Sequence, residues 1–191
     1  PIILRFGILS YSIFVAVLIM NFYLGANYVR ANLDASGDVY ANSEIYYAIG
    51  ALLSGVAIRR VFKDMSISFS VTLMTWVTAA LFAVLTFTAS SWILYAMVFL
   101  LGITNAGTRI QRVNWLFEHV PNQVYGRASS IFFLSNIFLR IVFLGLFSLA
   151  FFQQGNNVVY ACAILSLFLA LTALLLMRDF KKFVSLKPIE E

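Results

Sequence analysis

Arg140 and Asn136 stand four residues apart inside an apolar stretch, residues 128–152, that is long enough to cross a bilayer. That spacing places both on one helix face, with Phe133 and Ser129 on the turns before them. An arginine at membrane depth costs about 3 kcal/mol on insertion scales, so it requires water, a counter-charge or a ligand. The chemistry open to it is recognition of an anionic or carboxylate-bearing solute; the structural alternative is an arginine held by helix-end carbonyls or by an acid elsewhere. Asn21 and Asn105 are further amides inside apolar runs, and Asn105, close to Gly102 and Gly107, also reads as a helix-packing residue. Tyr11, Tyr23, Tyr46 and Tyr47 offer aromatic and hydroxyl contacts to a solute, Tyr23 and Tyr47 foremost, although anchoring at the membrane interface accounts for tyrosines in such positions as well.

Other chemistry is sparse. No acid falls deep in an apolar run, because Glu44 and Glu118 sit near the ends of theirs, so proton coupling through a central carboxylate would have to come from another part of the protein. His119 beside Glu118 reads as a solvated loop pair rather than a relay. Cys162 is the one cysteine and lies in an apolar run, where it serves packing, and no metal or cofactor is expected. There is no His-Glu-x-x-His, no Gly-x-Ser-x-Gly and no pair of mid-membrane acids, so an intramembrane enzyme is not expected.

The elements that position these residues are membrane helices. The chain of 191 residues is 62% hydrophobic and 11% charged, with a mean hydropathy of +0.91, more apolar surface than a soluble domain of this length can bury. A net charge of +5 raises nucleic-acid binding, but the basic residues cluster between apolar runs and form no stripe with aromatics. Apolar segments recur as far as Met177, unlike a cleavable signal followed by a hydrophilic chain. Pro1 entering a hydrophobic segment at once reads as a piece of a longer protein.

At about 20 apolar residues per crossing, six spans are expected, at 6–26, 43–58, 67–88, 92–108, 128–152 and 158–177. Residues 32–37, 59–64, 89–91 and 153–157 carry turn or solvent chemistry between them, and an external loop is expected at 27–42. The second span is the shortest, and Asn42, Ser43 and Glu44 resemble a capped helix start. Arg5, Arg59, Arg60, Lys63, Arg109, Arg112, Arg127, Arg178, Lys181, Lys182 and Lys187 then fall on one side and only Arg30 on the other. By the positive-inside rule both termini are cytoplasmic, in a multi-pass protein of the cell (plasma or inner) membrane. Residues 1–191 form a single transmembrane domain with no room for a soluble one.

Two loops carry further patterns. Gly50-Ala-Leu-Leu-Ser-Gly-Val-Ala-Ile leads into Arg59, Arg60 and Lys63, so a small-residue helix end runs into a tight basic loop suited to a neighbouring helix C-terminus or an anionic headgroup. In Val-Pro-Asn-Gln-Val-Tyr-Gly-Arg-Ala-Ser-Ser, residues 120–130, Pro121 stops a helix, Gly126 allows a turn, and a new helix begins at Arg127. Together these loops resemble the major facilitator superfamily, and specifically its C-terminal six-helix half. The first resembles the basic loop joining the second and third helices of each half, with Ser54 where an acid stands in the stronger N-terminal version. The second resembles the loop into the penultimate helix. The fifth span lacks the Gly-Pro-rich pattern of the family's antiporters, which also favours the C-terminal half.

The resemblance implies an all-α membrane fold, a half bundle in which the first, second, fourth and fifth helices line a central cavity and the third and sixth face lipid. The polarity of the chain agrees, since Asn21, Asn105, Asn136 and Arg140 lie on the first, fourth and fifth spans. The implied function is secondary transport of a small solute by alternating access, with an N-terminal six-helix half as partner and the bilayer as environment. Arg59, Arg60, Lys63, Gly126 and Arg127 become candidates for cytoplasmic gating. The Gly126-Arg127 loop and the aromatic content point toward exporters of drug-like or siderophore-like molecules. Importers of sugars or organic anions are the alternative, and a structural or assembly protein is a third.

Overall fold

The computed structural model describes residues 2–88 and 90–185, with the side chain of Arg59 also outside the description. Pro1, Ala89 and Lys187, each named above, therefore lie outside the described residues, as does the Arg59 side chain as a gating candidate. The described chain is helical throughout. α1 (Ile2–Leu9), α2 (Ser12–Ile19), a π-helical turn (Met20–Leu24) and α3 (Gly25–Asn32) form one interrupted rod. There follow α4 (Gly37–Val61), α5 (Ile67–Phe87), α6 (Ser91–His119), α7 (Asn122–Phe147), the short α8 (Ala150–Gln153) and α9 (Val158–Val184).

Among the described residues, five segments are long and apolar enough to cross a membrane: Ile2–Asn32, Ile67–Phe87, Ser91–His119, Asn122–Phe147 and Gly155–Val184. The chain is thus a multi-pass membrane protein by its helices. The expected span at 43–58 forms a helix, α4, but does not meet that standard of length and hydropathy. Asp38, Asn42, Ser43 and Glu44 at one end and Arg59 and Arg60 at the other dilute its apolar window.

Several boundaries differ from the sequence expectation. The loop expected at 27–42 shrinks to Leu33–Ser36, because the first rod continues to Asn32 and α4 starts after Ser36. Ser43 is no cap: it lies inside α4, where its hydroxyl donates to the Tyr40 carbonyl at 2.7 Å. α6 runs on to His119, which puts Arg109 and Arg112 on a helix instead of in a loop. Pro121, at φ −55°, does precede a helix, but α7 starts at Asn122 and Gly126 is an ordinary helical residue. Nothing lies within 4 Å of a Cβ built on Gly126, so no turn or close approach requires glycine there.

Contacts fix the direction of each helix. Tyr46 stacks on Tyr95, Gly50 meets Phe99 and Gly107 meets Ile58, so α4 and α6 run parallel. Ala79 bonds Ser166 and Phe69 meets Phe180, so α5 and α9 are antiparallel. Gly7 against Phe132 near one end and Tyr23 bonded to Gln153 near the other make the first rod parallel to α7. Phe6 on Trp115, with Ser10 bonded to Arg112, makes it antiparallel to α6. The six long rods therefore alternate in direction along the chain.

The first rod occupies the middle. Ile13, Val15, Ala16, Val17, Ile19, Met20, Leu24 and Tyr28 are all buried within the larger apolar cluster. Tyr28 donates to the Leu85 carbonyl at 2.7 Å and Asn32 to the Thr88 carbonyl at 2.7 Å, which ties its far end to the end of α5. A second cluster of Phe6, Val71, Trp115, Leu116, Val120, Phe132, Leu176 and Phe183 fills the near end. Within α5, Thr72, Thr75 and Thr78 each return their hydroxyl to the carbonyl four residues back, which satisfies these hydroxyls on an apolar helix. Cys162 is free and buried, as its apolar setting indicated.

Candidate polar site on the first rod

A membrane helix keeps its backbone bonded within itself, and irregular backbone at that depth is tolerated where protein or a cavity covers it. The first rod departs from α geometry twice, and a side chain from another helix meets each departure. At Ser10 and Tyr11 the Tyr11 amide bonds the Ile8 carbonyl, three residues back, at 3.2 Å. Arg112 of α6 reaches this point: its guanidinium donates to the Ser10 carbonyl at 3.1 Å and lies 3.6 Å from the centroid of the Tyr11 ring. At Met20–Leu24 the Gly25 amide bonds the Met20 carbonyl, five residues back. Tyr40 of α4 donates its hydroxyl to the Asn21 carbonyl there. A Cβ on Gly25 would fall 2.8 Å from the Tyr40 ring, so glycine is what lets the tyrosine lie against the bulge.

Arg112 is only 4% exposed and no carboxylate pairs with it among the described residues. Its Nε is buried without a hydrogen-bond partner. By its place after an apolar run, Arg112 is expected in a loop as a topological charge. The signal that could have found it is helical spacing: Arg112 is seven residues from Asn105 and shares its face.

Asn136 is completely buried, and neither its amide nitrogen nor its amide oxygen has a partner. The register set by Gly7 against Phe132 puts Asn136, four residues on, level with Tyr11 in the parallel first rod. The Ser12 hydroxyl is also buried and unpartnered. The unsatisfied Ser12 and Asn136, together with Arg112 and its bare Nε, thus come from α2, α7 and α6 to one level of the bundle. Arg140 stands one turn beyond Asn136, half-buried at the edge of the packed face, and no described residue makes an ion pair or hydrogen bond with it.

The remaining candidates divide. Asn105 donates to the Tyr47 hydroxyl at 2.7 Å, joining two residues singled out separately from the sequence. Asn21 lines a small pocket with Tyr40, Ser43, Glu44 and Leu94. Tyr23 accepts from Gln153 at 3.2 Å near the far end of α7, away from the Arg112 junction. Arg60, Lys63 and Arg127 are exposed. His119 is not solvated: it is 7% exposed, stacks on Trp115 with centroids 4.4 Å apart, and has its Nδ1 2.8 Å from the Trp115 carbonyl oxygen.

An acid that the sequence pattern does not single out also emerges. Asp179 on α9 is buried, with Arg5 at 2.8 Å and Lys182 at 3.4 Å. This clamp closes the near end of the first rod onto α9. Among the described residues no group of three or more His, Cys, Asp or Glu side chains is placed to hold a metal ion. Comparison of the chain with family models, with curated proteins and with solved structures gives no match.

Proposed function

We propose that the chain is a six-span unit of a secondary transporter of the major facilitator type, moving a small solute by alternating access. The observation that carries this reading is the central rod interrupted at Ser10–Tyr11 and at Met20–Leu24, each interruption held by a polar side chain from α6 or α4. Discontinuous helices at the centre of a bundle are where transporters place their binding and moving parts. π-helical turns inside α-helices likewise concentrate at functional sites.

Six crossings follow in this reading because α4 runs parallel beside α6 for most of its 25 residues, about 37 Å at 1.5 Å per residue. An even number of alternating crossings puts both ends on one side, and the basic residues assign that side to the cytoplasm of the cell membrane. The outward faces of α4 and α7 are apolar, with Leu52 81% and Phe138 67% exposed. They suit contact with a second six-helix half. The half-buried and unpaired Arg140, at the edge of α7, favours an anionic or carboxylate-bearing solute.

Uptake and efflux measurements in cells expressing the full-length protein, with a panel of anionic and neutral solutes, test the reading. Arg140→Ala is expected to lower transport of the anionic solute at least tenfold and Arg140→Lys less. Unchanged kinetics in both variants would remove Arg140 from the site, and no solute gradient with any panel member would overturn the transporter assignment.

A further inference from the structure

The seam between α5 and α9 opens outward as a groove of about 350 Å³ lined by Phe69, Thr72, Leu73, Trp76, Met177 and Phe180. Its wall is apolar almost everywhere. The Trp76 indole N–H, the group there most in need of a partner, is turned onto the Met177 sulfur at 3.1 Å. From Phe69 to Trp76 the groove follows α5 for two turns, about 10 Å. That length suits a hydrocarbon chain lying along the helices.

Two exposed cations stand at its near end, and the acid on the same stretch of α9, Asp179, is buried and already paired. Lys181 lies four residues beyond Met177 and next to Phe180, hence on the same stripe of α9 one turn closer to the helix end. Arg178 is on the adjoining outward face. Lys182 is engaged by Asp179, whereas Arg178 and Lys181 are exposed and make no ion pair among the described residues. Across the seam α5 begins at Ile67, capped by Ser66, so the positive end of its dipole opens beside Phe69. Long basic side chains at a helix end extend toward the headgroup layer and leave their stems on apolar surface.

We propose that this groove is a binding site for an anionic phospholipid, one acyl chain lying between Leu73, Trp76 and Met177 and the phosphate held by Lys181 and Arg178. The site stands on the membrane-crossing character of α5 and α9 and is independent of the transport assignment.

The experiment is native mass spectrometry of the full-length protein released from detergent with phosphatidylglycerol and phosphatidylcholine supplied at equal concentration. Wild type is expected to retain phosphatidylglycerol at least fivefold over phosphatidylcholine. Arg178→Ser with Lys181→Ser is expected to abolish that preference. Leu73→Trp, which fills the groove and leaves the charges in place, is expected to lower retention of both lipids. Arg127→Ser, a charge removed elsewhere, serves as the comparison. Equal retention of the two lipids by wild type, unaltered retention in Leu73→Trp, or a loss in Arg127→Ser as large as in the double variant would each overturn the assignment.

Discussion

The guanidinium of Arg112 sits 3.6 Å above the Tyr11 ring while it donates to the carbonyl of Ser10, the residue before that ring. One side chain of α6 thus spans the first interruption of the central rod, binding its backbone and its aromatic group at once. A buried cation with no carboxylate partner is expensive, and a cation–π contact returns about 2 kcal/mol when desolvated. The arrangement is costly for stability and suited to a joint whose two sides must stay in register.

Arg112→Met and Arg112→Lys separate those roles. Methionine keeps the length, removes the buried charge and the bare Nε, and loses the bond to Ser10, so the bundle is expected to stay within about 1 kcal/mol of wild type in detergent. Lysine keeps the charge but lacks the planar group that stacks and donates together, and is expected to destabilise by about 2 kcal/mol. Solute flux is expected to fall at least tenfold in both. Thermal unfolding of the two purified variants beside flux in cells checks this, and a methionine variant that transports normally would show that Arg112 is not part of the working joint.

The helices were legible from composition because membrane crossings leave long apolar runs, and five of them stand out in the structure. Helix ends were less legible. Arg109 and Arg112 looked like loop charges because topology rules count a basic residue by its distance from an apolar run, whereas α6 continues past both, leaving Arg109 exposed and carrying Arg112 into the bundle. Gly126 looked like a turn because the sequence cannot reveal whether its freedom is used. The Asn105–Tyr47 bond joins two flagged residues, but its partner choice depends on the parallel pairing of α4 and α6, a tertiary fact. Neither interruption of the first rod has a Pro, and only Gly25 hinted at the second.

That parallel pairing depends on two glycines. A Cβ on Gly50 would fall 2.0 Å from the Phe99 carbonyl oxygen, and one on Gly102 would fall 2.2 Å from that of Tyr47. Both obstacles are backbone, which cannot rotate away. Gly50→Val and Gly102→Val are each expected to cost at least 3 kcal/mol, at the upper end for overpacking. Gly55→Ala, with nothing within 4 Å, is expected to be neutral or slightly stabilising through helix propensity. Melting temperatures of the three purified variants test the contrast, and equal effects at Gly50 and Gly55 would contradict the close approach.

The clamp at the near end predicts an asymmetry. Asp179 has 2% of its side chain exposed and Arg5 has 48%. Arg5→Met leaves a buried carboxylate with only the more distant Lys182, so a loss of about 3 kcal/mol is expected. Asp179→Asn leaves a partly exposed arginine that water can solvate, and about 1 kcal/mol is expected. The double variant, with the unpaired acid removed, should lie nearer to Asp179→Asn than to Arg5→Met. A denaturation series on the four proteins measures the coupling, and additive single effects would mean that the two residues do not act as a pair.

Asn136 offers the sharpest separation of stability from function. It is fully buried, its amide finds no donor or acceptor, and it stands level with the Ser10–Tyr11 interruption that Arg112 holds. An unsatisfied buried amide costs about 1–3 kcal/mol, whereas leucine has similar volume and no polar group. Asn136→Leu is therefore expected to leave the melting temperature unchanged or raise it by a few degrees. If the amide is kept because a hydrated or solute-bound state uses it, flux should fall at least tenfold in the same variant. Asn136→Ala, which removes the amide and leaves a cavity, should lose both stability and flux. A leucine variant that is less stable than wild type would show that Asn136 has partners in the resting protein; one that is more stable and fully active would show that the amide has no part in transport.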